Sequence, residues 1–315
     1  MIEVKNLTKR YGQHYAINDV SFTVNEGEIL GFLGPNGAGK TTTMNIITGY
    51  ISATSGDVII NGVDILAEPE KAKAKIGYLP DAPPLYNDMK VDEYLNFVGD
   101  IKKVKPRDKV KMIKEVKETV HITDMSKRLI KNLSKGYKQR VGLAQAMMGY
   151  PEVIIMDEPT VGLDPKQIIE MRDVIKRLGK KHTVILSSHI LQEVSAVSDH
   201  IMIISNGQIK ASDTAEHLSS KYAHGNIMGV RVKGEASRVL NALENYPIIK
   251  KVTPNGSSEP GTIDLELAGD EDVDIREAIF ACMSKNNFPI LDMRSLNLSL
   301  EEIYLQVTSG EGGER

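Results

Sequence analysis

The apolar positions of this 315-residue chain change period several times, and each change marks an element. MIEVKNLTKRYG, residues 1–12, alternates apolar and polar and then turns, which predicts a strand. FTVNEGEILGFLG, residues 22–34, reads as two strands, the second apolar and buried, ending at Gly34. KTTTMNIITGY, residues 40–50, has apolar residues at helical spacing and a glycine stop at Gly49. GDVIINGVDIL, residues 56–66, predicts a strand pair around the turn Asn61-Gly62. From about 85 to 150 the pattern becomes mostly helical. PEVIIMDEP, residues 151–159, and HTVILSSHI, residues 182–190, are apolar strands that end in polar residues. Strands alternating with helices imply a parallel sheet with crossover helices, and ligands belong at the carboxyl ends of such strands.

The pattern breaks at HLSSKYAHGN, residues 217–226, which reads as a linker after a first domain spanning 1–220. The remaining residues predict strand 229–232, helix 236–245, strand 248–253, strand 262–267, helix 274–286 and strand 290–295. That βαββαβ order predicts a ferredoxin-like α+β domain over 226–306. SLEEIYLQV, residues 299–307, closes it as a short helix, and the tail, residues 307–315, is expected to be disordered.

Composition narrows the function classes. The formal net charge is −3 and the pI about 6.2, which counts against a nucleic-acid binder. The single cysteine, Cys282, allows no disulfide within the chain and fits a reducing cytoplasm. No apolar run approaches the ~18–20 residues that cross a bilayer, and the first residues lack the apolar core of a signal peptide. The expected location is cytoplasmic, so that a membrane role needs a partner. The basic stretch 102–120 reads as a solvated helix face or, alternatively, as a surface near anionic lipid head groups.

The chemistry concentrates at the predicted strand ends. Gly34, Pro35, Asn36, Gly37, Ala38, Gly39, Lys40, Thr41 and Thr42 form GPNGAGKTT between a strand and a helix. This fits a phosphate-binding loop, because glycines let backbone N–H groups turn around phosphate oxygens at a helix start. Lys40 adds a point charge for the outer phosphates, and the Thr41 hydroxyl is a ligand for Mg²⁺. Asp157 and Glu158 end a strand. Beside such a loop the first is placed to hold Mg²⁺ through water and the second to orient and deprotonate an attacking water. A pair of helix-capping acids is the plainer alternative. His189 ends the next strand, where it either plays a structural part or bonds the γ-phosphate and positions the water near Glu158. Asp164 sits in a turn just after the acids. LSKGYKQR, residues 133–140, is a second glycine-bearing helix start, 94 residues after Lys40 if Ser134 is its first capping residue.

These motifs, in this order over residues 1–220, resemble the ATP-binding cassette of ABC transporters. GPNGAGKTT matches Walker A, IGYLPDAPPLY the Q-loop, LSKGYKQR the signature LSGGQ, VIIMDEP Walker B, GLDP the D-loop and SSHIL the H-loop. Tyr11 in KRYG matches the aromatic that stacks on adenine. The resemblance implies a P-loop NTPase core with an antiparallel β subdomain and a helical subdomain. It also implies ATP and Mg²⁺ as cofactors, and Glu158, His189 and Lys40 as catalytic residues. In the family the signature faces the γ-phosphate held by a second cassette, so Ser134 and Gly136 are expected to act across a head-to-tail dimer. Two departures stand out. Lys135 and Tyr137 replace the signature glycine and glutamine, and Asp81 stands at the Q-loop where glutamine is usual. Asp81 is shorter and anionic, and is expected to reach Mg²⁺ through water.

YLPDAPPLYNDMKVDEYL looks most like the export branch, in which cassette and permease are often separate chains. The expected partners are therefore integral membrane permease subunits and a second cassette, with no nucleic acid. The expected place is the inner face of the cell membrane. A soluble cassette ATPase acting on ribosomes or DNA is a rival, although ribosomal members usually carry two cassettes and this chain has one set of motifs and no sustained heptads. A regulatory module without turnover is another, against which Glu158 and His189 both speak.

Overall fold

Alternation along β1 (Ile2–Tyr11) turns Ile2, Val4 and Leu7 inward in this computed structural model, which describes residues 1–222, 227–244, 246–270, 273–296 and 299–309. Gly12, at φ 60, makes the tight reversal into β2 (His14–Val24), so the second strand starts eight residues before the apolar pattern alone predicts it. β3 (Ile29–Leu33) is buried at all five positions and leads into α1 (Lys40–Ile47). β4 (Ser55–Ile60) and β5 (Val63–Asp64) form the expected hairpin, with both turn residues left-handed at φ 46 for Asn61 and 76 for Gly62. α2 (Pro69–Ala74) then precedes β6 (Ile76–Leu79).

The helical segment comprises α3 (Val91–Ile101), α4 (Pro106–Thr119) and α5 (Lys135–Met147), with two short 3-10 turns between the last two. Lys117 of α4 pairs with Asp92 of α3 at 2.5 Å, and Arg140 of α5 is buried against Glu170. The remainder runs β7 (Val153–Asp157), α6 (Pro165–Gly179), β8 (Thr183–Ser188), α7 (Leu191–Ser195), β9 (His200–Ser205), β10 (Gln208–Asp213) and α8 (Ala215–Tyr222).

Two sheets organise this part of the chain. One has the order β2-β1-β4-β5 and is antiparallel throughout. The other has the order β10-β9-β3-β8-β7-β6, parallel from β9 to β6, with β10 added antiparallel. Their shared core includes Leu7, Phe22, Phe32, Met44, Ile155 and Ile204. The parallel order brings the ends of β3, β7 and β8 side by side, and the phosphate loop, the acid pair and His189 leave the sheet at those ends.

The chain divides into two compact units, one of Met1–Ala215 with the residues from Gln306 on, the other Glu216–Leu305. The expected linker is helical through Tyr222, with Leu218 buried, because Ala215, Leu218 and Tyr222 recur at helical spacing. Residues 223–226 lie outside the described residues. The second unit contains β11 (Ile227–Lys233), α9 (Ala236–Glu244), β12 (Lys251–Pro254), β13 (Thr262–Ala268), α10 (Arg276–Lys285) and β14 (Ile290–Ser295). Its sheet has the order β12-β13-β11-β14, all antiparallel, over a core containing Val230, Val232, Val239, Leu243, Leu265 and Ile279. Cys282 is buried there as a free thiol, and burial raises its pKa. α11 (Leu300–Ser309) extends through 307–309, where a disordered tail was expected, and residues 310–315 lie outside the described residues. Among the described residues no helix is long and apolar enough to cross a membrane.

Candidate active site

The loop from Gly34 to Gly39 exists because a buried strand must hand over to a helix in six residues. Gly34 has no room for a side chain, since a Cβ there would meet the Ile204 carbonyl oxygen at 2.3 Å. Gly37 and Gly39 are left-handed, at φ 81 and 109, and Gly39 caps the start of α1. The amide of Ala38 donates to the Pro35 oxygen at 3.2 Å, and Ala38 in turn accepts from Gly207 N at 3.0 Å. Lys40, 6% exposed, donates to the Gly34 oxygen at 2.7 Å and the Pro35 oxygen at 3.3 Å.

Three strand ends meet this loop. Lys40 Nζ lies 3.4 Å from Glu158 Oε1, and His189 Nδ1 lies 2.9 Å from Glu158 Oε2. Glu158 thus holds a cation on one oxygen and an imidazole on the other. Its backbone is left-handed at φ 48, a conformation that costs a residue with a Cβ roughly 1–3 kcal/mol and persists only where neighbours enforce it. Here the enforcing group is Ser187, whose carbonyl and Oγ both accept from Glu158 N, at 3.2 and 3.0 Å. Asp157, 2% exposed, accepts from Ser187 Oγ, with the Thr41 hydroxyl close enough to favour its charged form. Burial raises its pKa, against those two hydroxyls, and the neighbouring Glu158 and Asp81 charges raise it further.

A cavity of about 350 Å³ is lined by Asn36, Gly37, Gly39, Lys40, Thr41, Thr42, Asp81, Glu158 and His189, with Ala16 and Val161 completing it. Most of the residues singled out from the sequence therefore converge. Gly34, Pro35 and Ala38 of the loop and the buried Asp157 stand behind this cavity rather than in its lining, and Tyr11, Ser134, Gly136 and Asp164 do not line it either. Tyr11 is half exposed at the end of β1, with the Lys9 ammonium 5.1 Å from its ring centre. Ser134 caps α5, its Oγ accepting from Tyr137 N at 3.4 Å, and Asp164 caps α6, accepting from Gln167 N at 2.9 Å. Gly136 is buried where a Cβ would meet the Gln167 side chain at 2.3 Å, so the signature helix and α6 touch through the glycine.

This set of strand ends and helix starts has a known counterpart. The family described as ABC transporter matches residues 17–161. An uncharacterised ABC transporter ATP-binding protein of Bacillus subtilis (strain 168), YhcH, is 36% identical over 98% of this chain and 96% of its own. The chain belongs to the ABC transporter ATP-binding proteins. A second relative in the same organism, the linearmycin resistance ATP-binding protein LnrL, is 33% identical over 98% of both chains. Among solved structures, a dimeric ATP-binding cassette in a post-hydrolysis state bound to ADP and Pi superimposes with a TM-score of 0.63. It is 25% identical and is covered over 98% of its length by 68% of this chain. The ABC cassette fold binds and hydrolyses ATP, and this ABC protein is an ATPase of that family.

Sequence reasoning missed Ser187, which holds both acids of the cassette in place. Its signal was present: two serines close a strand whose other residues are all buried and nearly all apolar, and buried hydroxyls there must find partners. Ala16 carried no signal, since nothing local to it marks a cavity wall formed across two sheets.

Proposed function

We propose that this cassette is the ATP-hydrolysing subunit of an exporter whose membrane permease is a separate chain, and that two copies pack head to tail around two ATP molecules. The observation that carries the reading is the Lys40–Glu158–His189 set inside the phosphate-loop cavity. Glu158 orients and deprotonates the attacking water, Lys40 neutralises charge on the outer phosphates, and His189 holds Glu158 and the γ-phosphate in register. The phosphates are bound within the loop Gly34 to Thr42 by those backbone N–H groups that the fold does not already use, which leaves out Pro35, with none, and Gly34, bonded to Ser188, and the exposed Tyr11 ring stacks on adenine.

The donor set fits Mg²⁺. Thr41 and Asp157 offer a hydroxyl and a buried carboxylate whose proton affinity is already raised, and hard oxygens are what this ion takes. When bound, Mg²⁺ offsets the charge of the phosphate oxygens. Asp81 lines the phosphate-loop cavity with Thr41, and shares a neighbouring groove with Thr41 and Asp157, so it would join them in holding the ion through a water.

Ser134 and Gly136 start α5 away from this cavity, which supports action on the nucleotide of the other copy; Asp164 lies beside them in the D-loop. A groove of about 810 Å³ lined by Tyr50, Tyr78, Pro80, Pro84, Lys102 and Gln145 supports permease docking between core and helical segment. Export is favoured by the resistance role in the name of LnrL. The second unit is read as a ferredoxin-like domain on its strand order and antiparallel pairing, with a regulatory or dimer-supporting role. A cytoplasmic, peripheral location on the inner face of the cell membrane follows from the permease.

Glu158→Gln tests the chemistry. It keeps size and hydrogen bonding and removes the base, so hydrolysis is expected to fall about 10²–10⁴-fold while ATP binding persists. Hydrolysis at the parental rate removes Glu158 from its role. Co-purification with a polytopic membrane protein tests the transport half: a chain that never associates with one is not a transporter subunit.

A further inference from the structure

The catalytic set does not use one buried acid close to it. Glu193, on α7 four residues after His189, is 5% exposed and lines none of the cavity. Among the described residues no Lys, Arg or His forms an ion pair with it. Its Oε2 accepts instead from two hydroxyls, Thr160 Oγ1 and, at 3.3 Å, Ser188 Oγ. A buried carboxylate carrying only hydroxyl partners is expensive to keep, and an apolar residue would fill the same space.

Both partners sit next to catalytic residues. Thr160 is two residues after Glu158 in the loop whose backbone is left-handed. Ser188 immediately precedes His189. Its Oγ accepts from Ile190 N at 3.1 Å and its carbonyl accepts from Gly34 N at 3.3 Å. Ser187 fixes Glu158 from the amino side, through Glu158 N. Glu193 fixes the same loop from the carboxyl side and ties it to the segment that carries His189.

We propose that Glu193 is a positioning residue for ATP hydrolysis: by holding Thr160 and Ser188 on one oxygen, it sets the 2.9 Å separation of Glu158 and His189. The proposal rests on the reading of Glu158 as the base. Removing the clamp lets Glu158 swing on a strained backbone while the phosphate loop, Lys40 and Thr41 stay as they are. The rate of the chemical step then falls and ATP affinity does not.

The test uses the full chain and ATPase kinetics. Thr160→Val keeps the shape and deletes the hydroxyl; kcat is expected to fall about 10- to 100-fold, with the KM for ATP within about twofold, the range a misplacement of about 1 Å produces. Thr160→Ser restores the donor and is expected to recover most of kcat. Glu193→Ala, which frees Ser188 as well as Thr160, is expected to lose at least as much as Thr160→Val, and the double variant to be no worse than Glu193→Ala, because the Thr160 link is already broken there. Where Glu193→Ala does not fold, the Thr160 pair carries the test alone. A parental kcat in Thr160→Val overturns the proposal. So does an equal loss in Thr160→Ser, or a double variant whose loss is the product of the two. A merely structural role would lower the melting temperature and leave kcat of the folded protein unchanged. Glu158→Gln in the same assay separates the two levels. If it is active, the base assignment fails and the proposal with it; if it is inactive while Thr160→Val is not, only the clamp fails.

Discussion

Gly39→Ala isolates the steric demand of the phosphate loop. At φ 109 an alanine is strained, which costs roughly 1–3 kcal/mol. Its Cβ would also stand 2.6 Å from the Ala16 carbonyl oxygen, a backbone atom at the end of the loop's own cavity wall. A relaxed carbon–oxygen contact needs about 3.3–3.6 Å, so the loop or β2 must yield by about 0.7–1 Å. A shift of that size at the phosphate-binding amides is expected to lower kcat about 100-fold and to weaken ATP binding as well, since the moved N–H groups serve both. Strain of about 1–3 kcal/mol in a unit of this size lowers its melting temperature by about 2–12 °C. Gly37→Ala is the internal comparison. Gly37 is also left-handed, at φ 81, but a Cβ there meets nothing within 4 Å, so it incurs strain without collision and is expected to retain far more activity. Steady-state ATPase rates, a fluorescent ATP analogue and thermal melts of both variants decide the matter. Equal losses in the two, or parental activity in Gly39→Ala, would refute the collision as the cause.

Head-to-tail action predicts complementation between Lys40→Ala, which removes the phosphate charge, and Ser134→Arg, which fills the approach to the signature. Each is expected to be nearly inactive alone, and their mixture to regain activity at its one intact site; no recovery in demonstrated mixed dimers, with an active one-site control, sinks the arrangement. A chain ending after Tyr222 retains every residue lining the cavity and is expected to bind ATP, so a folded truncation that loses nucleotide binding would overturn the assignment of residues 1–220 as a self-sufficient nucleotide-binding domain. Tyr94 gives an alkaline signature. Burial, aided by Tyr86, pushes its phenol up to about 12 from 10.0, and its hydroxyl donates to Gln145. Its folded pKa lies above the unfolded one, so its contribution is full below pH 10.0 and is lost as pH rises toward about 12. That contribution is worth about 3 kcal/mol. Urea unfolding of Tyr94→Phe and the parent should converge over that window, and a constant gap would contradict the assignment.

What the sequence determined alone was whatever is written in contiguous residues. GPNGAGKTT carries its own conformational demand in its glycines, VIIMD and TVILSS announce buried strands by unbroken apolar runs, and Asn61-Gly62 can hardly be anything but a hairpin turn. The convergence of Lys40, Glu158 and His189 was legible too, because parallel strands deliver their carboxyl ends to one edge. Other features depended on distance across the fold. β2 begins at His14, before its apolar run, because pairing with β1 settles its length. Residues 217–222 fold as helix although their serines and lysine read as a linker, since burial of Leu218 outweighs weak propensity. Gly39 faces Ala16, and Glu193 reaches back to Thr160, through contacts between segments 23 and 33 residues apart that no local pattern encodes. The physical reason is the same in each case. Period and turn chemistry act over a few residues, whereas a buried polar atom or an absent Cβ is explained only by the atom that meets it, and tertiary packing alone chooses that atom.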